Sequence, residues 1–218
     1  TLVNLADLGG HQNRKRVIIF GVDKKKFKDY EKRIEVFYHN MKVEKLKNKP
    51  GTVRKAFEDL DKLYPIENPV GRVSHYNSKT DVLHKCRFHN SRDIAIFKTL
   101  AKDIDEKVFQ YTSSKSLKSF YIQRVGKSSA IHKYYVLRWD KPSNTIPAHL
   151  YKDGLRHIHP DPEQARSITV REAARLQGFP DQFRFEEAQT NNFKMIGNAV
   201  SPLMAEKIAG AVFEAMKY

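Results

Sequence analysis

The chain has 218 residues, 40% of them hydrophobic, and its 40 Lys and Arg against 25 Asp and Glu give a formal net charge of +15. This composition excludes wholesale disorder, the single cysteine excludes a disulfide framework and indicates an intracellular protein, and no apolar run is long enough to span a membrane. The excess of positive charge favours a polyanionic partner, with nucleic acid as the first candidate and a solvating layer of lysines as the alternative.

The first predicted elements follow a basic string at 12–16. VIIFGV at 17–22 is an unbroken run of β-branched and aromatic residues, which predicts a buried strand, central or parallel in a sheet. The lysine-rich stretch 24–49 places aromatic residues at intervals that suit a helix. Thr52, after a Pro-Gly break, predicts the cap of a short helix that continues to Tyr64.

The middle of the chain changes from loop to helix to short strands. Residues 65–91 contain Pro, Gly, Asn and Ser without a clean period, which predicts a loop. Apolar residues at helical spacing predict a helix over 91–106. Three segments predict strands joined by turns: FYIQRV at 120–125, YYVLRW at 134–139 and NTIPAHLY at 144–151.

Helix signals return toward the C-terminus. Thr169 and Glu172 have the spacing of a capping box, which predicts a helix that begins there and ends at Gly178. Apolar residues recur every four positions from Val200 onward and predict a last helix, with Pro202 in the first turn, where proline is tolerated.

Two arginines before the predicted strand form the first candidate site. Arg14 and Arg16 are two residues apart, so their side chains project to the same side if the segment is extended. A pair of guanidinium groups there suits phosphate oxygens or a base carbonyl, because arginine binds them with two donors and stays protonated. A solvated charge cluster at the mouth of a strand is an equally weighted alternative.

A glycine-asparagine pair before the last helix is the second candidate. Gly197 and Asn198 predict a turn that presents free backbone amides at a helix N-terminus, which suits the carboxylate of a small ligand. The alternative, favoured on these residues alone, is that Gly197 allows close packing and Asn198 caps the helix.

Two further patterns are weaker. His84, Cys86 and His89 offer soft ligands for zinc, but their spacing fits no common zinc pattern, so polar loop histidines and no metal site are expected. Thr145 offers a hydroxyl donor for a phosphate beside Ile146, although a threonine in a strand is ordinarily only a strand residue.

Three segments together resemble a known family. QNRKR (12–16), ARSITVREAARLQGFPDQF (165–183) and NNFKMIGNAVSPLMAEKIA (191–209) are similar to the eighth, ninth and tenth motifs of DNA cytosine carbon-5 methyltransferases, in the right order. The resemblance implies an α+β target-recognition domain attached to the C-terminal edge of a Rossmann-like α/β methyltransferase domain. It assigns 1–23 to the end of the catalytic domain, 24–160 to target recognition and 161–218 to the return to the catalytic domain.

The resemblance also implies roles for single residues. Arg16 would contact the O2 atom of a flipped cytosine and a nearby phosphate, Arg14 would orient the catalytic groups, and Gln12 would lie in the same DNA-binding cleft. Thr145 would contact the DNA backbone near the extruded base. The remaining implied roles are cofactor binding at the methionine end of S-adenosylmethionine for Asn198, Ala199 and Phe179, and architecture for Arg166, Arg171 and Glu172.

The departures from the family concern the catalytic groups. The family's nucleophile is the cysteine of a Pro-Cys pair and its acid lies in Glu-Asn-Val; neither string occurs here, and neither does the glycine-rich cofactor loop. Cys86 follows Lys85 and comes after the eighth motif, whereas the nucleophile should precede it. We therefore expect the chain to be inactive alone and to need an N-terminal catalytic segment or a partner subunit, the segment being favoured because the chain begins at Thr1 rather than Met.

The implied setting is a prokaryotic restriction-modification system, with double-stranded DNA as the partner, in the cytoplasm at the nucleoid. The first alternative is a non-catalytic, sequence-specific DNA-binding or specificity subunit derived from such an enzyme. A basic RNA-binding module is a third possibility, but the sequence contains no aromatic RNA-binding motif.

Overall fold

The computed structural model describes residues 1–69, 71–152 and 154–217. In these ranges the helices are α1 (Tyr30–Lys47), α2 (Val53–Phe57), α3 (Ser91–Asp105), α4 (Ser114–Val125), α5 (Val170–Gln177), α6 (Gln189–Asn198) and α7 (Pro202–Met216). Two short strands, β1 (Leu2–Asn4) and β2 (Lys15–Val17), pair antiparallel. Short 3-10 helices span Leu5–Leu8 and Ala148–Tyr151. None of the described helices is both long and apolar enough to cross a membrane.

The described residues form three apolar cores, and the first joins the N-terminal and C-terminal segments to α1. Phe37 and Met41, one turn apart on α1, are buried against Leu5 and against Met204 and Ala211 of α7. This face of α1 explains why the lysine-rich segment forms a helix there: one stripe is apolar and the rest is solvated. Because α1 packs on α7, the predicted domain boundary at residue 24 does not coincide with a boundary in the packing.

The predicted strand at 17–22 is largely wrong, since β2 ends at Val17. The following residues stay outside regular structure, with Ile18 and Phe20 packed against the first core. Val17 and Ile19 are 69% and 87% exposed. A strand needs a neighbour to pair with, and among the described residues only β1 pairs with this segment.

The second core contains α3, α4 and the extended chain near 134–137. The helix predicted at 91–106 is confirmed as α3. The strand predicted at 120–125 is wrong, because this segment is the second half of α4. Ser113 caps α4 and Gly126 ends it in the left-handed conformation with φ 72°, signals that override the strand-like composition between them.

The other two predicted strands are only partly extended. Tyr135 accepts a hydrogen bond from the Ile158 amide at 3.0 Å, and Leu137 donates one to the Ile158 carbonyl at 2.9 Å. These contacts form isolated β-bridges that are too short to count as strands. Ala148–Tyr151, the second half of the other segment, is a 3-10 helix. The expected α+β recognition domain is therefore, in its described residues, a helical unit with bridged extended segments.

The third core brings together segments from inside and after the predicted recognition region. Its buried residues come from α2, from the turn around Ile146, from α5 and from α6. The predicted cap at Thr52 is confirmed, although α2 ends at Phe57 rather than Tyr64. The predicted start and end of α5 are also confirmed, with Thr169 as the cap and Gly178 at φ 88° after the last turn. This core fixes the position of the candidate site.

Candidate functional site

Gln12 is fully buried, and its side chain bonds two distant segments, α5 and the turn around Ile146. Its Nε2 donates to the carbonyl of Leu176 at 3.0 Å and to the side chain of Gln177, and its Oε1 accepts from the backbone amide of Ile146 at 2.9 Å. The donor and acceptor groups of this side chain are therefore engaged inside the protein, so they are not free to contact DNA.

Arg14 continues the same network. Its Nη1 donates to the carbonyl of Ile146 at 3.0 Å, and its Nη2 donates to the carbonyls of Gly197 and Ala199, each at 3.1 Å. The side chain is only 4% exposed. Burial, together with the charge of the nearby Arg16, lowers the pKa of Arg14 to about 10, so it remains protonated at neutral pH. We call Gln12, Arg14 and the groups they bind the buried hub.

Gly197 is part of the buried hub because a side chain would not fit there. A Cβ at this position would lie 2.4 Å from the carbonyl carbon and oxygen of Pro147, closer than real Cβ contacts. The predicted turn before the last helix is wrong: Gly197 and Asn198 are the last residues of α6, and Ser201 caps α7. The close packing of Gly197, which the sequence favoured, is confirmed; the C-terminal end of α6 lies here, so this pair does not offer the free helix amides that the carboxylate alternative requires.

Arg16 and Thr145 lie at the edge of the buried hub. The Arg16 side chain is exposed, and its Nη1 donates to the carbonyl of Lys15 at 2.7 Å. Thr145 is half-buried, and its hydroxyl donates to the carbonyl of Asn13 at 2.5 Å. Of the three residues expected to contact DNA from the 12–16 string, Arg16 is the one whose side chain reaches solvent.

A cleft of about 370 Å³ opens beside Thr145. We call it the Thr145 cleft; its polar lining includes Lys133, Asn144, Arg156 and His157, and no carboxylate is among its described lining residues. Such a lining attracts an anion or a polar group with lone pairs rather than a cation. The sequence did not single out Asn144 or His157, because neither belongs to a motif or a periodic pattern.

Two buried polar atoms of the Thr145 cleft lack hydrogen-bond partners: Nε2 of His157 and Oδ1 of Asn144. Burial lowers the pKa of His157 to about 3, against the opposing effect of the Thr145 and Asn144 backbone, so the imidazole is neutral at pH 7. An unsatisfied buried polar group costs about 1–3 kcal/mol of stability. These two closed-off atoms therefore lower the stability of the wall of the Thr145 cleft.

Arg166 and Glu172 form a fully buried ion pair. Two guanidinium nitrogens of Arg166 lie 2.7 Å from the two carboxylate oxygens of Glu172, which also accepts from the Thr169 amide at 2.8 Å. Burial opposes ionisation of Glu172, but the charge and hydrogen bonds of Arg166 outweigh it and hold the pKa of that carboxyl well below its usual range. Arg171 forms an ion pair with Asp81. Each of the three residues expected to be architectural therefore forms an ion pair with another residue of this chain.

The three residues expected at the cofactor are not gathered around one cavity. Asn198 is exposed, whereas Ala199 is half-buried and its carbonyl belongs to the buried hub. Phe179 packs its ring 4.9 Å from that of Phe183 and lines a cleft of about 540 Å³ beside Leu203. Asn198 and Ala199 do not line that cleft, so the described residues fit at most an edge of a site for S-adenosylmethionine.

The expected loop histidines are buried and hydrogen-bonded. His84 contacts the Thr169 hydroxyl at 2.9 Å and the Asp61 carbonyl at 2.8 Å. His89 contacts Ser167. Among the described residues, no three His, Cys, Asp or Glu side chains converge as metal ligands do. Burial raises the pKa of the Cys86 thiol to about 12, which keeps it from forming the thiolate that a nucleophile requires.

Comparison with known proteins agrees with the motifs. A family model described as C-5 cytosine-specific DNA methylase matches residues 1–214. The type II methyltransferase M.Bpa9945I of Bacillus paralicheniformis is 35% identical over 97% of this chain and 49% of that protein. M.AgeI of Thalassovita gelatinovora, also a type II methyltransferase, is 46% identical over 37% of this chain and 18% of that protein.

A solved structure shows the same likeness. A DNA modification methyltransferase encoded within an E. coli prophage has 26% sequence identity and a TM-score of 0.53, covering 100% of this chain and 60% of that one. The chain therefore spans about half the length of the first relative and about three-fifths of the solved structure. Because the family model matches nearly its whole length, the chain belongs to the C-5 cytosine-specific DNA methylase family.

Proposed function

We propose that this chain is the target-recognition and C-terminal portion of a type II enzyme that methylates carbon 5 of a cytosine flipped out of duplex DNA. The observation that carries this proposal is the buried hub. Through Arg14 it joins the 12–16 string to the Ile146 turn and to the end of α6. The exposed Arg16 and the half-buried Thr145, whose hydroxyl bonds the carbonyl of Asn13, border this hub and would both contact a DNA strand.

In this mechanism the chain positions the substrate rather than attacking it. Attack on cytosine carbon 6 requires a thiolate, and the half-buried Cys86, whose pKa is raised, is not suited to supply one. The nucleophilic cysteine, the acid and the glycine-rich cofactor loop would come from a part of the enzyme that this sequence does not contain. Arg16 would donate to the O2 atom of the extruded cytosine and to a phosphate, and Thr145 would contact the DNA backbone.

S-adenosylmethionine would supply the methyl group in this reaction. Asn198 and Ala199 would form an edge of its site near the methionine end, since Asn198 is the exposed last residue of α6 and Ala199 follows it. Phe179 would contribute only if the missing part of the enzyme extends the cofactor site to the cleft beside Leu203.

The exposed apolar residues at and after the end of β2 support a neighbour that this chain does not supply. Val17 and Ile19 point to solvent while Ile18 and Phe20 are packed inside, which is the alternation of an extended strand with one uncovered face. We propose that this segment becomes a strand in the sheet of a Rossmann-like catalytic domain, which would cover its exposed apolar face. The greater length of the first relative, of which this chain spans 49%, is consistent with such a domain.

A segment exchange tests whether this chain selects the DNA sequence. In the complete enzyme, residues 91–158 would be replaced by the corresponding segment of a relative whose methylated sequence has been determined in the same assay. We expect the exchanged enzyme to methylate the relative's sequence, because the second core is formed largely within this segment. Retention of the original sequence preference, with normal activity, would contradict the proposed role in recognition.

A further inference from the structure

The Thr145 cleft gathers positive charge that its own walls do not balance. Lys133 and Arg156 line it, and none of its described lining residues is an aspartate or a glutamate. Arginines elsewhere in the chain do have carboxylate partners, as Arg171 has in Asp81. Because cations without nearby counter-charges attract anions, this cleft is suited to a negatively charged ligand.

The guanidinium group of Arg156 is held at this cleft by the chain itself. Its Nη1 donates to the carbonyl of His132 at 3.2 Å, and His132 lines the same cleft. The carbonyl of Arg156 accepts from Nδ2 of Asn144, another lining residue, at 2.9 Å. Arg156 is nevertheless exposed, and a guanidinium carries further donors on Nε and Nη2. An exposed arginine that is fixed through one nitrogen suits a phosphate, whose oxygens accept parallel hydrogen bonds.

Thr145 does not supply the donor that a phosphate in this cleft requires. A threonine hydroxyl has one hydrogen, and that of Thr145 is donated to the carbonyl of Asn13 at 2.5 Å. The oxygens of a DNA phosphate only accept hydrogen bonds, so a phosphate beside Thr145 must be bound by donors from other residues. In the described lining of the cleft, the permanently charged donors are Lys133 and Arg156.

We propose that Arg156 and Lys133 bind one phosphate of the DNA backbone in the Thr145 cleft, next to the extruded cytosine. This inference rests on the proposed function, which brings Thr145 to the DNA backbone there. Thr145 then packs against the strand, and Arg156 forms the hydrogen bonds to it. Phosphate contacts fix the position of a duplex and carry no sequence information, so Arg156 is a positioning residue.

The affinity of the complete enzyme for duplex DNA, measured at several salt concentrations, tests the charge contact. Arg156→Gln should weaken binding about tenfold, because a hydrogen bond between charged groups is lost. It should also reduce the slope of log affinity against log salt by about one, because one phosphate is no longer neutralised. Arg156→Lys keeps the charge but not the planar pair of donors, so it should retain the slope and lose less affinity.

Arg184→Gln is the matched control. Arg184 is also exposed, but it lines a different cleft, of about 450 Å³, together with Asp181 and Glu186. These carboxylates offset its charge and disfavour a phosphate. Removing the charge of Arg184 should therefore change the affinity for duplex DNA little and leave the salt slope as in the wild type.

Neutral phosphate replacements locate the contact on the DNA. Each phosphate near the target cytosine would be replaced in turn by an uncharged methylphosphonate. In the wild type, one of these replacements should weaken binding about tenfold, as Arg156→Gln does. The same replacement should have little further effect in Arg156→Gln, because the contact is already lost, and its full effect in Arg184→Gln.

The outcomes separate this inference from the proposed function. Unchanged affinity and slope in Arg156→Gln would overturn the inference. A lower slope without coupling to any single methylphosphonate would also overturn it, and would assign Arg156 to the diffuse attraction of a solvated charge. All of these measurements read binding alone. Absence of carbon-5 methylation by the wild-type enzyme on every duplex would instead contradict the proposed function.

Discussion

Replacing Arg166 by leucine is expected to lower the free energy of unfolding by about 3–5 kcal/mol, because it leaves a buried carboxylate without its charge partner. Arg166 and Glu172 are both about 1% exposed in their side chains and share two hydrogen bonds of 2.7 Å. Glu172 also accepts from the Thr169 amide at the start of α5, so the loss would reach the helix cap. Denaturant unfolding of wild type and variant measures the difference.

The pH dependence of that difference identifies its origin. In the wild type, Arg166 depresses the pKa of Glu172, so the pair contributes stability above the usual glutamate pKa and loses it as pH falls through the lower, folded pKa. In Arg166→Leu, burial without a partner should raise the pKa of Glu172 above its usual value. The difference in the free energy of unfolding between wild type and variant should therefore be greatest near pH 7. It should shrink below about pH 4, where Glu172 of the variant is protonated in both the folded and the unfolded chain.

Lys98→Gln provides the control for this prediction. Lys98 and Glu163 form an ion pair of 3.2 Å, but both side chains are more than half exposed. Solvent screens such a pair, so its removal should change stability little. If Arg166→Leu were no more damaging than Lys98→Gln, the buried pair would not be the structural element described here.

Arg16→Ala should reduce methylation by the complete enzyme by about 100-fold while changing duplex affinity only a few-fold. Arg16 is exposed at the edge of the buried hub and would donate to an atom of the extruded cytosine, which is bound only in the reacting complex. Single-turnover methylation rates and binding curves on the same duplex separate the two effects.

The adjacent Lys15 is the matched control for Arg16. It is also exposed and cationic, but no role at the flipped base is assigned to it. Lys15→Ala should weaken duplex binding slightly through the loss of one charge. It should leave the single-turnover rate of methylation of bound DNA unchanged. Equal losses of rate and affinity in Arg16→Ala would place Arg16 on phosphates alone, away from the base.

The elements that sequence analysis predicted well have local signals. Thr52, the Thr169–Glu172 capping box and Pro202 mark helix starts within one turn of the residues they act on. The end at Gly178 is similarly local, since a left-handed residue stops a helix by itself. Neighbours far along the chain are not needed to form these boundaries.

The elements that it missed depend on distant partners. Residues 120–125 look like a strand by composition, yet they bury Phe120 against α3 and Tyr134 as a helix. Residues 17–22 have a strand's composition but, among the described residues, only β1 as a neighbour. The composition of a segment gives only its preference for helix or strand, and the segments it packs against determine which of the two it forms.

The candidate site shows the same division. Motif resemblance identified Gln12, Arg14 and Arg16 together, but it could not distinguish the buried pair from the exposed arginine. The contacts that separate them join residues more than 130 positions apart, such as Arg14 to Ile146. Asn144 and His157 were invisible for a related reason, because an unsatisfied atom is a property of the folded surroundings and not of the residue type.

The most direct measurement is methyl transfer from labelled S-adenosylmethionine to duplex DNA, using this chain alone, the proposed catalytic part alone, and the two together. The account predicts methylation at cytosine carbon 5 only when both parts are present, because this chain supplies positioning and recognition but no reactive thiolate. Methylation by this chain alone would contradict it. DNA binding without methylation by the combined parts would also contradict it, and would indicate a specificity protein instead.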